Sequence, residues 1–109
     1  MLSASADKSA FDSRSVDCPF LFHNDGLFYM TYIGWGGTGY QAGLASSSDL
    51  VGWRKLGSVL RRDPNSPVTR YNVALNWIVR ENALRSPGRP RRIRNRFLGV
   101  YDAYPQPGV

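Results

Sequence analysis

Few side chains in this 109-residue sequence could do chemistry, and their spacing narrows the choice further. His23 is the only histidine and stands one residue before a turn sequence. It lacks partners for a metal cluster and has no placed nucleophile for a triad. Neither a metal nor a cofactor is expected. Cys18 is the only cysteine, which excludes an internal disulfide. Gly34-x-Gly36-x-x-Gly39 matches a dinucleotide-binding pattern by letters, but it joins two strand-like runs. The helix N-terminus that would hold a phosphate is missing, so we reject that reading. Carboxylates remain. Asp17 opens a strand-like run, where an Asp can satisfy backbone N–H groups. Arg62-Asp63-Pro64 lies in a turn-rich connection, and Arg80-Glu81 ends an apolar alternation. Each of the last two reads as a surface acid unless the fold brings it to a second carboxylate. Trp53 and Trp77 are expected in the core.

Charge is distributed unevenly. Residues 1–84 carry eight Lys or Arg against seven acids, a balance of +1, and residues 85–109 carry six Arg against one acid, a balance of +5. Arg89, Arg91, Arg92, Arg94 and Arg96 could serve a polyanion. No nucleic-acid-binding motif accompanies them, so a solvated basic surface is the favoured reading and nucleic acid is disfavoured. No apolar run is long enough to span a membrane. The start, MLSASADKSAFDSRS, lacks the apolar core and cleavage site of a secretory signal. Localisation is thus undetermined, with the cytoplasm as default.

The elements that must position these residues crowd into Asp17–Leu56. Four strand-like runs are expected: Cys18–His23, Leu27–Ile33, Tyr40–Ser46 and Val51–Leu56. Asn24-Asp25-Gly26 is a hairpin sequence, because Asn, Asp and Gly tolerate positive φ. Gly34–Gly39 and Ser47-Ser48-Asp49 form the next two turns. In the second run Leu27, Tyr29, Thr31 and Ile33 share one face, and Phe28, Met30 and Tyr32 the other. Both faces are largely apolar, so the strand should be covered on both sides. Residues 1–15 are small and polar and should be mobile. Residues 58–72 read as a connection. Residues 73–84 alternate like a strand at Val73, Leu75, Trp77 and Val79, though Glu81 and Arg85 could support a helical turn. Pro90–Tyr101 faintly repeats Pro19–Tyr32, with arginines replacing apolar residues. It reads as the opening hairpin of a second, degenerate unit.

The ordered pieces Asp17, Pro19-Phe20, Asn24-Asp25-Gly26, Phe28-Tyr29-Met30, Tyr32, Gly43-Leu44-Ala45, Ser48-Asp49-Leu50 and Trp53 resemble the five-bladed β-propeller glycosidases, the arabinanase-like and invertase-like enzymes of glycoside hydrolase families 43 and 32. The resemblance covers one blade well and about half of another. It implies an all-β fold: a mobile segment over 1–15, a four-stranded antiparallel propeller blade over 16–57, a connection over 58–72 and part of a second blade over 73–109.

Glycoside hydrolysis needs carboxyl groups on either side of the scissile bond. The resemblance implies that Asp17 is the carboxylate at the start of the innermost strand, although Cys18 stands where many relatives have Pro directly. Glu81, after Arg80, stands where relatives carry Arg-Asp, and Asp63 is the alternative by letters. The general-acid Glu of a later blade has no counterpart. Strand alternation expects Asp17, Trp35 and the connection carrying Asp63 at one edge, with Trp35 either stacking on a sugar ring or packing on the next blade. The leading expectation is therefore a fragment of a glycoside hydrolase-like propeller, acting on or binding carbohydrate and not active alone. A non-catalytic carbohydrate-binding or assembly module is one alternative, and a basic polyanion-binding protein another. An open blade edge invites self-association.

Overall fold

A computed structural model describes residues 1–108. Every regular element in it is a strand. They are β1 (Ser15–Asn24), β2 (Leu27–Trp35), β3 (Tyr40–Ser47), β4 (Arg54–Leu60), β5 (Asn72–Ile78), β6 (Arg92–Ile93), β7 (Arg96–Phe97) and β8 (Gly99–Tyr104). The all-β expectation holds, and β1 to β4 form a four-stranded antiparallel meander with β2 and β3 central. Among the described residues, no helix is long and apolar enough to cross a membrane.

Turn chemistry sets the register. Asp25 and Gly26 have φ of 49° and 80°, the left-handed pair that a two-residue hairpin turn requires. Pairing then runs from Asn24 opposite Leu27 to Ser15 opposite Trp35. It is broken once, where Cys18 and Pro19 face Tyr32 alone, between the pairs Asp17–Ile33 and Phe20–Thr31. This bulge suits a proline, which has no ladder N–H to give, and Cys18 takes a φ of 51° there.

The fourth strand begins later than its apolar letters suggest. The hydroxyl of Ser47 accepts the Asp49 and Leu50 N–H groups, and Asp49 Oδ1 accepts those of Val51 and Gly52 at 2.9 Å each. Val51 is therefore consumed by the turn and left 70% exposed, and β4 starts at Arg54.

Both faces of β2 are covered, as its composition requires. On the Tyr32 face the cover is the chain's own start. Phe11 stacks on Tyr32 with ring centroids 6.0 Å apart, and Asp12 is only 1% exposed. Residues 1–15 read as a mobile lead-in, yet Phe11 and Asp12 are packed. Gly34 and Gly43 make this approach possible: a Cβ on either would come within 3 Å of Phe11, Asp12 or Tyr32 atoms.

The opposite face of β1 and β2 meets β5. The Arg80 guanidinium lies 4.9 Å from the centre of the Phe20 ring and donates to Leu21 O, tying this second unit to β1. β5 pairs with β8 antiparallel and touches β3 through one parallel pair, Tyr40–Asn72. Residues 73–78 are strand and not helix. The faint repeat is only half realised. Tyr101 lies in β8, but Pro90 forms an isolated bridge with Arg80, and β6 and β7 make a separate short ribbon. Arg94 and Asn95, both at positive φ, turn that ribbon. Trp77 is not in the core; it is 55% exposed on β5.

Candidate functional site

Strand register builds one end of the sheet. Asp17 pairs with Ile33, Ser15 with Trp35, and Trp35 with Tyr40. Side chains alternate along each strand, so Asp17 and Trp35 share a face as well as an end. The opposite end carries Asp25-Gly26 and the Ser47–Asp49 turn. The connection after β4 returns to the Trp35 end and is pinned there by Arg62. Its N–H donates to Gln41 Oε1, while its guanidinium donates to Thr38 Oγ1 at 2.7 Å and Arg70 O at 2.8 Å.

The Asp17 side chain is exposed, and its Oδ1 accepts the Cys18 N–H at 2.8 Å. This is the strand-entry bond expected of an Asp before a bulge. One acceptor oxygen is still left open to solvent. Trp35 is half-buried in an aromatic cluster, 4.7 Å from Tyr40 and 6.1 Å edge-on from Tyr71, and the two tyrosines are 5.9 Å apart. Tyr71 immediately precedes β5, so Trp35 packs on the next unit while its cluster lines the Asp17 end.

The remaining sequence candidates do not converge on Asp17. Asp63 is exposed and spends Oδ1 on the Asn65 N–H of its own turn. Glu81 follows β5, which runs parallel to β3 and so leads away from the Trp35 end. Its carboxylate accepts the Ser86 hydroxyl at 2.6 Å, and its N–H donates to Arg89 O. The Arg80 anchor on Leu21 O fixes this departure. The carboxylate whose charge reaches Cys18, the neighbour of Asp17, is Asp102 of β8. Burial raises the Cys18 thiol pKa first, and the charges of Asp17 and then Asp102 raise it further. Asp102 also accepts Asn76 Nδ2 at 2.8 Å. Its sequence neighbourhood, GVYDAY, resembles no motif, and only the pairing of β8 with β5 brings it here.

The other polar cluster missed in the sequence is buried. Asp12 Oδ2 accepts Lys55 Nζ at 2.6 Å and the Tyr32 hydroxyl at 3.0 Å, and Lys55 also donates to Ser5 Oγ. Burial pushes the Asp12 carboxyl up, but hydrogen bonds from Lys55, Ser5 and Tyr32 and the Lys55 charge outweigh it and hold the group below its ordinary value. Burial, with the Asp12 charge beside it, pushes the Tyr32 hydroxyl well above the usual phenol range. With Asp12 buried and its Oδ2 held by both Lys55 and Tyr32, this cluster fastens the chain start to the sheet. Among the described residues, no group of three His, Cys, Asp or Glu side chains could hold a metal ion.

No protein-family model matches the chain, and no curated protein matches it. Two solved structures are similar to it. One is a BT0996 RGII complex, 29% identical with a TM-score of 0.49. The other is a glycoside hydrolase, 28% identical with a TM-score of 0.47. Each similarity covers 54% of this chain, which spans 18% of the length of each matched chain.

Proposed function

We propose that the chain is part of a glycoside hydrolase-like β-propeller that acts on or binds carbohydrate at the Asp17 end of its first sheet. In this reading β1 to β4 are one blade, β5 and β8 belong to the next, and Asp17 stands at the mouth between them. A single observation carries the reading: the register that brings Asp17, with a free carboxylate oxygen, to the same face and end as the Trp35–Tyr40–Tyr71 cluster. A carboxylate beside an aromatic wall suits a sugar, whose hydroxyls donate to the acid and whose C–H face lies on the rings.

Asp17 takes the role of the carboxylate next to the scissile bond, and Asp102 sets the local negative field. Hydrolysis needs a proton donor to the leaving oxygen as well. Neither Asp63 nor Glu81 is placed for that, and Asp102 is engaged with the Asn76 amide, so in this reading the 109 residues alone bind without turning over. The test is calorimetric titration with arabino-oligosaccharide alongside an activated aryl glycoside assay. Weak binding, lost in Asp17→Asn and Trp35→Ala, with no turnover, supports the reading. Binding that ignores both substitutions overturns it.

A further inference from the structure

Trp77 stands on the outer side of β5 beside an open cleft of about 730 Å3. Val100, Glu81, Asn82, Ser86 and Arg91 line it with Trp77. Trp77 is 55% exposed and Val100 51%, so the cleft offers apolar area to whatever enters. The hydrogen bond from Ser86 holds the Glu81 carboxylate in place. The Arg91 backbone N–H donates to Val79 O at 2.9 Å, which fixes its position at the rim. Its guanidinium enters no ion pair among the described residues, whereas Arg80 is committed to Phe20 and Leu21.

These three kinds of group select a ligand. An indole face accepts the C–H side of a sugar or the face of a base. A free guanidinium pairs with carboxylate or phosphate in a fork. Glu81 favours the sugar: its carboxylate needs a donor, which ring hydroxyls supply and a phosphodiester group does not. A second copy of this chain would bring a like-charged Arg-rich segment. We propose that this cleft binds an acidic glycan through one uronate unit, with the ring on Trp77, its carboxylate on Arg91 and a hydroxyl on Glu81. The proposal rests on the carbohydrate reading above and adds a second contact, made by residues that the Asp17 site does not use.

The experiment titrates the 109-residue chain at fixed salt with polygalacturonate, its fully methyl-esterified form, neutral arabinan and poly(U) RNA. Polygalacturonate should bind more tightly than the esterified form. Arg91→Gln and Trp77→Ala should each weaken it about tenfold, the scale of one lost charge-assisted contact. Arg94→Gln, at the tip of the β6–β7 ribbon, should have little effect. Arabinan binding should be indifferent to Arg91→Gln. Equal losses with Arg94→Gln and Arg91→Gln, tighter binding of poly(U), or indifference to esterification would overturn the proposal. The esterified ligand keeps the test decisive even if Trp77→Ala fails to fold. Arabinan that does not bind, beside Arg91-dependent polygalacturonate binding, would overturn the Asp17 reading and leave this cleft standing.

Discussion

Replacing Asp12, buried against the first sheet, should destabilise the chain substantially. The carboxylate is 1% exposed and holds Lys55 and Tyr32 at once, while Lys55 itself is 25% exposed. Removing one partner of a fully buried ion pair costs about 3–5 kcal/mol. Solvent at Lys55 reduces that, so Asp12→Ala should cost about 2–3 kcal/mol. A domain of this size loses about 4–8 °C per kcal/mol, so its midpoint should fall by about 10–20 °C. Asp12→Asn keeps the shape and an acceptor for Tyr32, and should cost about half as much. The assay is thermal and urea unfolding followed by circular dichroism, in a cycle with Lys55→Met. The double variant should be less destabilised than the two single losses together. The pH dependence has a definite sign. The folded-state carboxyl is held below its ordinary value, so it adds stability above about pH 4. That contribution declines as pH drops from there through the folded-state value, and Asp12→Asn should flatten the decline. An Asp12→Ala midpoint within a degree or two of the parent, or full additivity with Lys55→Met, would refute the reasoning.

Three further outcomes are expected. Gly34→Ala should destabilise strongly, because the new methyl group meets Asp12 and Phe11 side chains; a soluble variant with an unchanged unfolding midpoint would contradict the close packing of the first fifteen residues. Asp49→Ala should lower the midpoint and speed hydrogen exchange at the Val51 and Gly52 amides, which lose their acceptor; unchanged exchange there would argue against this turn. Asp17→Asn and Asp102→Asn should each raise the alkylation rate of the exposed Cys18 thiol near pH 8. Either substitution removes a charge that pushes the thiol pKa up, and equal rates in all three proteins would place both carboxylates elsewhere.

The strands that were legible in the sequence are those whose signals are local. Asn24-Asp25-Gly26 fixes a hairpin within three residues, and the seven residues between Gly26 and Gly34 are too few for a stable helix and read as a strand, which runs on through Gly34 to Trp35. The edge shared by Asp17 and Trp35 follows from the same alternation. What was hidden depends on distant partners. Asp12 looks like one more polar residue in a polar lead-in, and its meaning lies 20 positions away at Tyr32 and 43 away at Lys55. Val51 looks like a strand residue, but the hydrogen bonds that remove it from β4 come from Ser47 and Asp49. Arg80 beside Glu81 suggests a place near Asp17. Only the parallel contact of Asn72 with Tyr40 sends β5 the other way. Trp77 suits a core by residue type, yet β5 turns it outward beside Val100 of β8.

The central claim is that carbohydrate meets this chain at the Asp17 end. Its most direct test is an amide and indole chemical-shift map of the 15N-labelled chain titrated with arabino-oligosaccharide. The account predicts concerted shifts at Asp17, Cys18, the Trp35 indole and the Gly36–Gly39 loop, abolished by Asp17→Asn. The Asp25-Gly26 and Ser47–Asp49 turns at the other end should stay still. Shifts confined to that opposite end, or the same shifts in Asp17→Asn, would contradict it.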